Sequence, residues 1–220
     1  IADVVPNLPP EHVFYEDRDD SSTLKQLQSL HEHDPWFAEL MNGKPRALAE
    51  QLLGTAVTAE NMQFFNKPPG VGQPTPPHQD AYYFKLDPPD ALTMWMALEE
   101  VDEENGCVRY VRGSHFKGLR PHGPTGTLGF SQGMTDFGTA EDYAEEQVMP
   151  ASPGDLLAHH ALTIHRAEGN ASPTRSLRAL GFIFYSVHAR EDNAAREAYH
   201  RQLAAQQEGK ISPTIRPQRA

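Results

Sequence analysis

The chain has 220 residues, 38% hydrophobic and 22% charged, with 19 prolines and 16 glycines, a globular composition that can bury one sizeable core and is rich in turns. A formal net charge of -11 without any Lys/Arg-rich run disfavours nucleic acid as a partner, because its phosphates would be repelled. No apolar segment approaches the ~20 residues that cross a bilayer, no signal peptide opens the chain, and the lone cysteine, Cys107, excludes an internal disulfide. These features predict a cytoplasmic protein without membrane contact, although residue 1 is Ile rather than Met and so says little about targeting.

Residues 21–53 read as a helical flank: Ser21 or Ser22 can cap, Leu24, Leu27 and Leu30 recur at helix spacing, Pro35 interrupts, and Trp36 to Leu40 resumes. From Thr55 to about residue 187 the pattern changes to short β-like runs between turn signals. The predicted strands are Asn61–Phe65, His78–Phe84, Leu92–Leu98, Val108–Val111, Leu156–His160, Leu162–His165 and Leu177–Val187. Pro68-Pro69-Gly70, Asp87-Pro88-Pro89-Asp90, Glu104-Asn105-Gly106 and Pro153-Gly154-Asp155 punctuate them. Residues 113–138 are Gly-rich and aperiodic, which predicts a structureless loop serving as a lid or as a surface excursion. Residues 191–207 read as a C-terminal helix and 211–220 as a tail. The expected architecture is mainly β with flanking helices, an antiparallel sandwich or jelly roll in one domain over residues 1–220.

His78-Gln79-Asp80 carries the chemistry. Along an extended strand side chains alternate, so His78 and Asp80 would share a face and grip one ion while Gln79 points away. Tyr82 would share that face, either as a pocket wall that bonds substrate or as a core aromatic. The third ligand must come from another strand, and His165, ending an apolar run, is the best candidate. Were Leu156 to His165 one unbroken strand, His159 would share its face and His160 would not, a parity that a kink would spoil. His160 is expected nearby, facing substrate or supporting a ligand. Two imidazoles and one carboxylate on one side of an octahedral ion leave the opposite positions open, the arrangement of non-haem Fe(II) oxygenases.

His78-Gln79-Asp80, Glu104-Asn105-Gly106-Cys107, Gly113-Ser114-His115, Gly154-Asp155 and Thr163-Ile164-His165, in that order, resemble the phytanoyl-CoA dioxygenase family of Fe(II)/2-oxoglutarate oxygenases. The resemblance spans roughly Asn61 to Tyr185. It implies a double-stranded β-helix of jelly-roll, cupin-like form, with Fe(II) on His78, Asp80 and His165. It further implies 2-oxoglutarate as cosubstrate, O2 as oxidant, ascorbate as a reductant in vitro, and hydroxylation of a C–H bond in a small organic substrate with release of succinate and CO2.

The cosubstrate's distal carboxylate needs a counter-charge, and a bidentate arginine suits it. On the family pattern this arginine follows the distal histidine on the next strand; Arg175 stands ten residues after His165, and Arg178 thirteen, beside Ala179-Leu180. Opposite parity should turn one of the two away if both lie in regular strand, and Arg175, at the family's spacing of about ten residues, is preferred. Trp95, Met62 and Gln63 match family positions beside cosubstrate or substrate, with core packing as the other reading for Trp95 and Met62. Asp80 argues against a halogenase, in which chloride takes the carboxylate's place. A reading from a different class is a metal-binding β-barrel that holds Zn2+ in the same triad and hydrolyses or merely binds a ligand.

Overall fold

The structure is a computed structural model that describes residues 1, 3–127, 130–198 and 201. Its larger sheet runs, in spatial order, β1 (Val13–Tyr15), β2 (Leu24–Leu27), β3 (Val57–Lys67), β13 (Leu177–Ser186), β6 (Ala91–Ala97) and β11 (Leu156–His160). The smaller sheet runs β10 (Glu146–Met149), β7 (Val108–Val111), β12 (His165–Ala167) and β4 (Thr75–His78). Two-stranded ribbons join β5 (Leu86–Asp87) to β14 (Arg190–Glu191) and β8 (His122–Thr127) to β9 (Phe130–Met134). All pairings are antiparallel, and residues of both sheets line one shared cavity, so the two layers form a jelly roll.

Strand alternation divides β13 between two environments. Leu180, Phe182 and Phe184 project into a core closed by the helices α1 (Leu30–His33), α2 (Pro35–Asn42) and α3 (Lys44–Leu53), where Phe37, Met41 and Ala49 are buried. Leu177, Ile183 and Tyr185 have the other parity and face the cavity. The helices thus cover one face of the larger sheet and leave the other to chemistry.

Several sequence expectations need correction. Leu24 to Leu27 is a strand rather than helix: Gln26 and Leu27 pair with Phe65 and Phe64 on β3, and the sheet edge outweighs a helical spacing of leucines. His78–Phe84 is not one strand. β4 ends at His78, Asp80 adopts helical φ -57° and ψ -34°, and Ala81–Phe84 forms the one-turn helix α4. Pro76 and Pro77 hid β4 from the sequence reading, yet proline is tolerated there because β4 is an edge strand.

The loop expected over 113–138 holds a 3-10 turn at Ser114–Lys117 and the β8–β9 ribbon; residues 128 and 129 lie outside the described residues. The ribbon is docked on β4: a Cβ on Gly133 would lie 3.3 Å from Pro76 Cβ and from the Pro77 carbonyl oxygen. A fifth helix, α5 (Ala140–Glu145), follows, capped by reciprocal bonds between Thr139 and Asp142. Of the helix expected at 191–207, residues 193–198 and 201 are helical, while 199–200 and 202–207 lie outside the described residues. No helix among the described residues is long and apolar enough to cross a membrane.

Candidate metal centre

Three elements meet at the triad. β12 pairs with β4 so that His165 and His78 are register partners, and the turn after β4 swings Asp80 beneath them. Ligand-capable atoms of His78, Asp80 and His165 all lie within 4.8 Å of one another. Asp80 Oδ1 is 3.5 Å from His78 Nε2 and 3.7 Å from His165 Nε2. The expected trio therefore converges, but through a helical turn rather than a shared strand face.

The backbone fixes both imidazoles. His78 Nδ1 lies 2.8 Å from the Pro76 carbonyl and His165 Nδ1 lies 3.0 Å from the Thr163 carbonyl. A carbonyl can only accept, so each Nδ1 carries the proton and each Nε2 presents its lone pair to the centre. Burial lowers the His165 pKa well below the usual imidazole value, and neighbouring His78 and His159 lower it further, so its lone pair stays available. Burial would raise the Asp80 carboxyl, but neighbouring His165 and the hydrogen bond from His159 outweigh it and hold the group well below the usual carboxylate range. Two imidazoles and one carboxylate fit a divalent cation of the first transition row.

Asp80's second oxygen is held as firmly. Oδ2 accepts from Thr93 Oγ1 at 2.6 Å and from His159 Nε2 at 3.1 Å, while His159 Nδ1 takes the Tyr110 hydroxyl at 3.0 Å. Burial and the nearby Asp80 keep the Tyr110 phenol protonated, so it donates to His159 Nδ1, which leaves the Nε2–H of His159 to donate to Asp80. The chain Tyr110, His159, Asp80 leaves Oδ1 alone to face the ion.

Gln79, turned from the centre as expected, is fully buried and pins the turn. Its amide donates to the carbonyls of Gly118 and Leu162 at 2.9 and 2.7 Å and accepts from Arg120 N at 2.8 Å, while its own backbone N–H donates to His122 Nε2 at 3.1 Å. Tyr83 packs edge-on to His78 with ring centroids 5.8 Å apart, and its hydroxyl donates to the Gln132 carbonyl.

The triad opens on a cavity of about 340 Å³, lined among others by Trp95 and Gln63. Other expected residues lie elsewhere. Met62 has the parity opposite to Gln63 and packs in the helix-covered core. Tyr82 does not line the cavity; it is stacked on His122 at 4.4 Å with Lys85 Nζ 3.5 Å over its ring, because α4 replaces strand alternation with a helical turn that brings Tyr83 and Phe84 inward instead. His160 points away, 3.7 Å from Asp90, and its neighbour His159 takes the inner place. The chain breaks strand between His160 and His165, with Thr163 N donating to the His160 carbonyl at 2.8 Å.

Neither arginine faces the cavity. Arg175, just before β13, bonds Asp102 with Nη2 at 2.9 Å to both carboxylate oxygens and also meets Glu104 on the surface. Arg178 shares the outward parity of Leu180, is 52% exposed and pairs with Glu99. The inward position between them is Leu177. Sequence reasoning missed Lys25, Lys67 and Tyr110 as cavity residues, and weighed His159 only as a neighbour on His165's strand face. The helical reading of 24–27 concealed Lys25, whereas the alternation Thr93, Trp95, Ala97 could have revealed Thr93.

The triad, its carbonyl-locked imidazoles and its jelly-roll frame accompany a match of residues 10–178 to the sequence profile of the phytanoyl-CoA dioxygenase family. The chain belongs to this family. Among its relatives in the phytanoyl-CoA dioxygenase family, the domain-containing protein 1 of Danio rerio is 32% identical over 162 residues, covering 70% of this chain and 54% of its own length. The Caenorhabditis elegans homologue of that protein is 28% identical over 183 residues, covering 78% of this chain and 60% of its own. The chain thus spans little more than half the length of these relatives. EvdO2 of Micromonospora carbonacea var. aurantiaca, crystallised with 2-oxoglutarate, superposes with a TM-score of 0.63 at 27% identity, over 76% of this chain and 69% of that one. The epimerase SnoN shares the fold with a TM-score of 0.68 at 23% identity, over 86% and 74%.

Proposed function

We propose that this chain is an Fe(II)- and 2-oxoglutarate-dependent dioxygenase that hydroxylates a C–H bond of a small organic molecule. The observation that carries this reading is the convergence of His78 Nε2, Asp80 Oδ1 and His165 Nε2 on one side of a cavity. The 2-oxoglutarate complex of the similar EvdO2 supports the cosubstrate. Bound iron, with 2-oxoglutarate and O2, would supply the oxidant, with succinate and CO2 as the other products.

The protein's own residues bind, orient and exclude water. Asp80 offsets one unit of the ion's charge, and Thr93 and His159 hold its carboxylate plane. Trp95, Tyr83 and Phe65 supply apolar wall, which keeps water from the reacting end. A volume of about 340 Å³ is at the small end of ligand pockets and supports a small substrate over a bulky CoA ester held entirely inside. Gln26 Oε1 and Asn66 Oδ1, which belong to the lining residues, are buried side-chain oxygens without a hydrogen-bond partner among the described residues, and this favours a substrate bearing hydroxyl or amine donors. The single, buried Cys107 thiol supports a reducing, cytoplasmic setting.

The test is succinate formation from 2-oxoglutarate with Fe(II), ascorbate and O2, with and without candidate substrates. Turnover in the native chain and none in Asp80→Ala is expected. Tight Zn2+ binding with no turnover at all would favour a hydrolase or binding module, and full activity in Asp80→Ala would sink the triad as the catalytic centre.

A further inference from the structure

The cavity's fixed cations among the described residues are Lys25, Lys67 and Arg166. Lys25 Nζ is 3.0 Å from Glu16 Oε2, with side chains only 9% and 8% exposed. Arg166 bonds both oxygens of Glu146, at 2.6 and 2.9 Å, and also meets Glu168. Lys67 differs: its Nζ donates to the backbone carbonyls of Gly106, at 3.3 Å, and Glu168, and it forms no ion pair among the described residues. Two carbonyls occupy two of the three ammonium donors and cancel none of its unit charge. A half-buried ammonium left in that state is held more favourably once an anion joins it.

Its position suits an anion anchored at the metal. Lys67 is the register partner of Leu177, the inward residue between two outward arginines. Its contact at Glu168 lies three residues beyond His165, about 10 Å along an extended chain, a depth comparable with the reach of a five-carbon diacid coordinated at its other end. Gly106 lets Lys67 settle there. It has φ +88°, and a Cβ on it would stand 2.5 Å from the Glu168 carbonyl and 3.2 Å from Lys67 Nζ.

We propose that Lys67 is the counter-charge for the distal carboxylate of the 2-oxo acid cosubstrate, in place of an arginine, and so selects a diacid over a monoacid of equal length. This rests on the dioxygenase reading above. Burial, followed by the nearby Lys25, lowers the Lys67 pKa to about 8, with Glu16, Glu168 and Cys107 acting in the opposite sense. An arriving carboxylate would therefore draw a proton onto Lys67 near that pH.

The experiment is calorimetry on the Mn(II)-loaded chain with 2-oxoglutarate and with 2-oxopentanoate, which offers the same chelating end and chain length but a methyl in place of the distal carboxylate. The native chain should prefer the diacid by about 10- to 100-fold, the scale of a hydrogen bond to a charged group. Lys67→Met should weaken 2-oxoglutarate alone and bring the ratio near one, and Lys67→Arg should keep it. In the native chain at pH 8, titration in buffers of different ionisation enthalpy should show proton uptake for the diacid in excess of that for the monoacid, which tests the idea even if Lys67→Met fails to fold. A folded Lys67→Met that keeps the preference, or no excess uptake, overturns the assignment, as does a preference erased by Lys25→Met but not by Lys67→Met. Native chain that binds neither acid overturns the cosubstrate reading itself.

Discussion

The two ends of the cavity are built on different principles. At the metal end, backbone acts on side chain: the Pro76 and Thr163 carbonyls orient His78 and His165, and the Gln79 amide pins the intervening turn to backbone groups of Gly118, Arg120 and Leu162. At the far end, side-chain pairs join the backbone contacts: Lys25 meets Glu16 and Gln26 Nε2 reaches Gln63 Oε1 at 3.3 Å, while Lys67 rests on the Gly106 and Glu168 carbonyls and Glu16 also accepts from Gln73 N. Backbone acceptors survive most substitutions, so the metal end tolerates change at the positions that contribute only their carbonyls, such as Thr163. Side-chain pairs do not, and the far end is where the arginines have turned outward and Lys25 and Lys67 stand instead.

The largest expected effect lies at the metal. Asp80→Ala should weaken Mn(II) or Zn2+ binding by more than the ~10- to 100-fold that loss of an outer partner costs, measured by competition with a chelator. At the far end, Lys25→Met leaves Glu16 buried and unpaired, and should cost about 3 kcal/mol in urea unfolding. Lys25→Met with Glu16→Gln should recover part of that loss; a double variant as unstable as the single one would break the distinction between the two ends.

His159→Phe probes the one place where the metal end does rely on side chains. It removes a bond to Asp80 Oδ2 but leaves Thr93, so metal affinity should fall by about tenfold, the lower end of the outer-partner range, and not vanish. Unchanged affinity would show that Thr93 alone positions the carboxylate.

Lys67 gives a pH signature. Its folded pKa of about 8 lies below the ordinary 10.5, so between those values the unfolded chain binds more protons and stability rises with pH. The urea midpoint of the native chain should therefore gain relative to that of Lys67→Met between pH 8 and pH 10. The smallest effect is expected on the surface. Arg175→Met and Arg178→Met should leave 2-oxoglutarate affinity unchanged by calorimetry, because both guanidinium groups are engaged by acids outside the cavity. A large loss in either would restore an arginine to the far end.

Much of this was legible in the chain itself. Residue chemistry and order picked out His78, Asp80 and His165, because metal coordination demands particular donor atoms and few side chains carry them. Alternation placed Leu92–Leu98, Val108–Val111 and Leu177–Val187 on strands, and observed strands occupy those stretches. Local pattern could not show that Asp80 sits in a helical turn, that Pro76 and Pro77 belong to an edge strand, or that 24–27 pairs with β3, since each depends on what lies beside it in space. Nor could it rank His159 against His160 or arginine against lysine. Those outcomes turn on which face of a strand looks inward and on which acid already holds each cation, and only the tertiary structure brings residues so distant in sequence together.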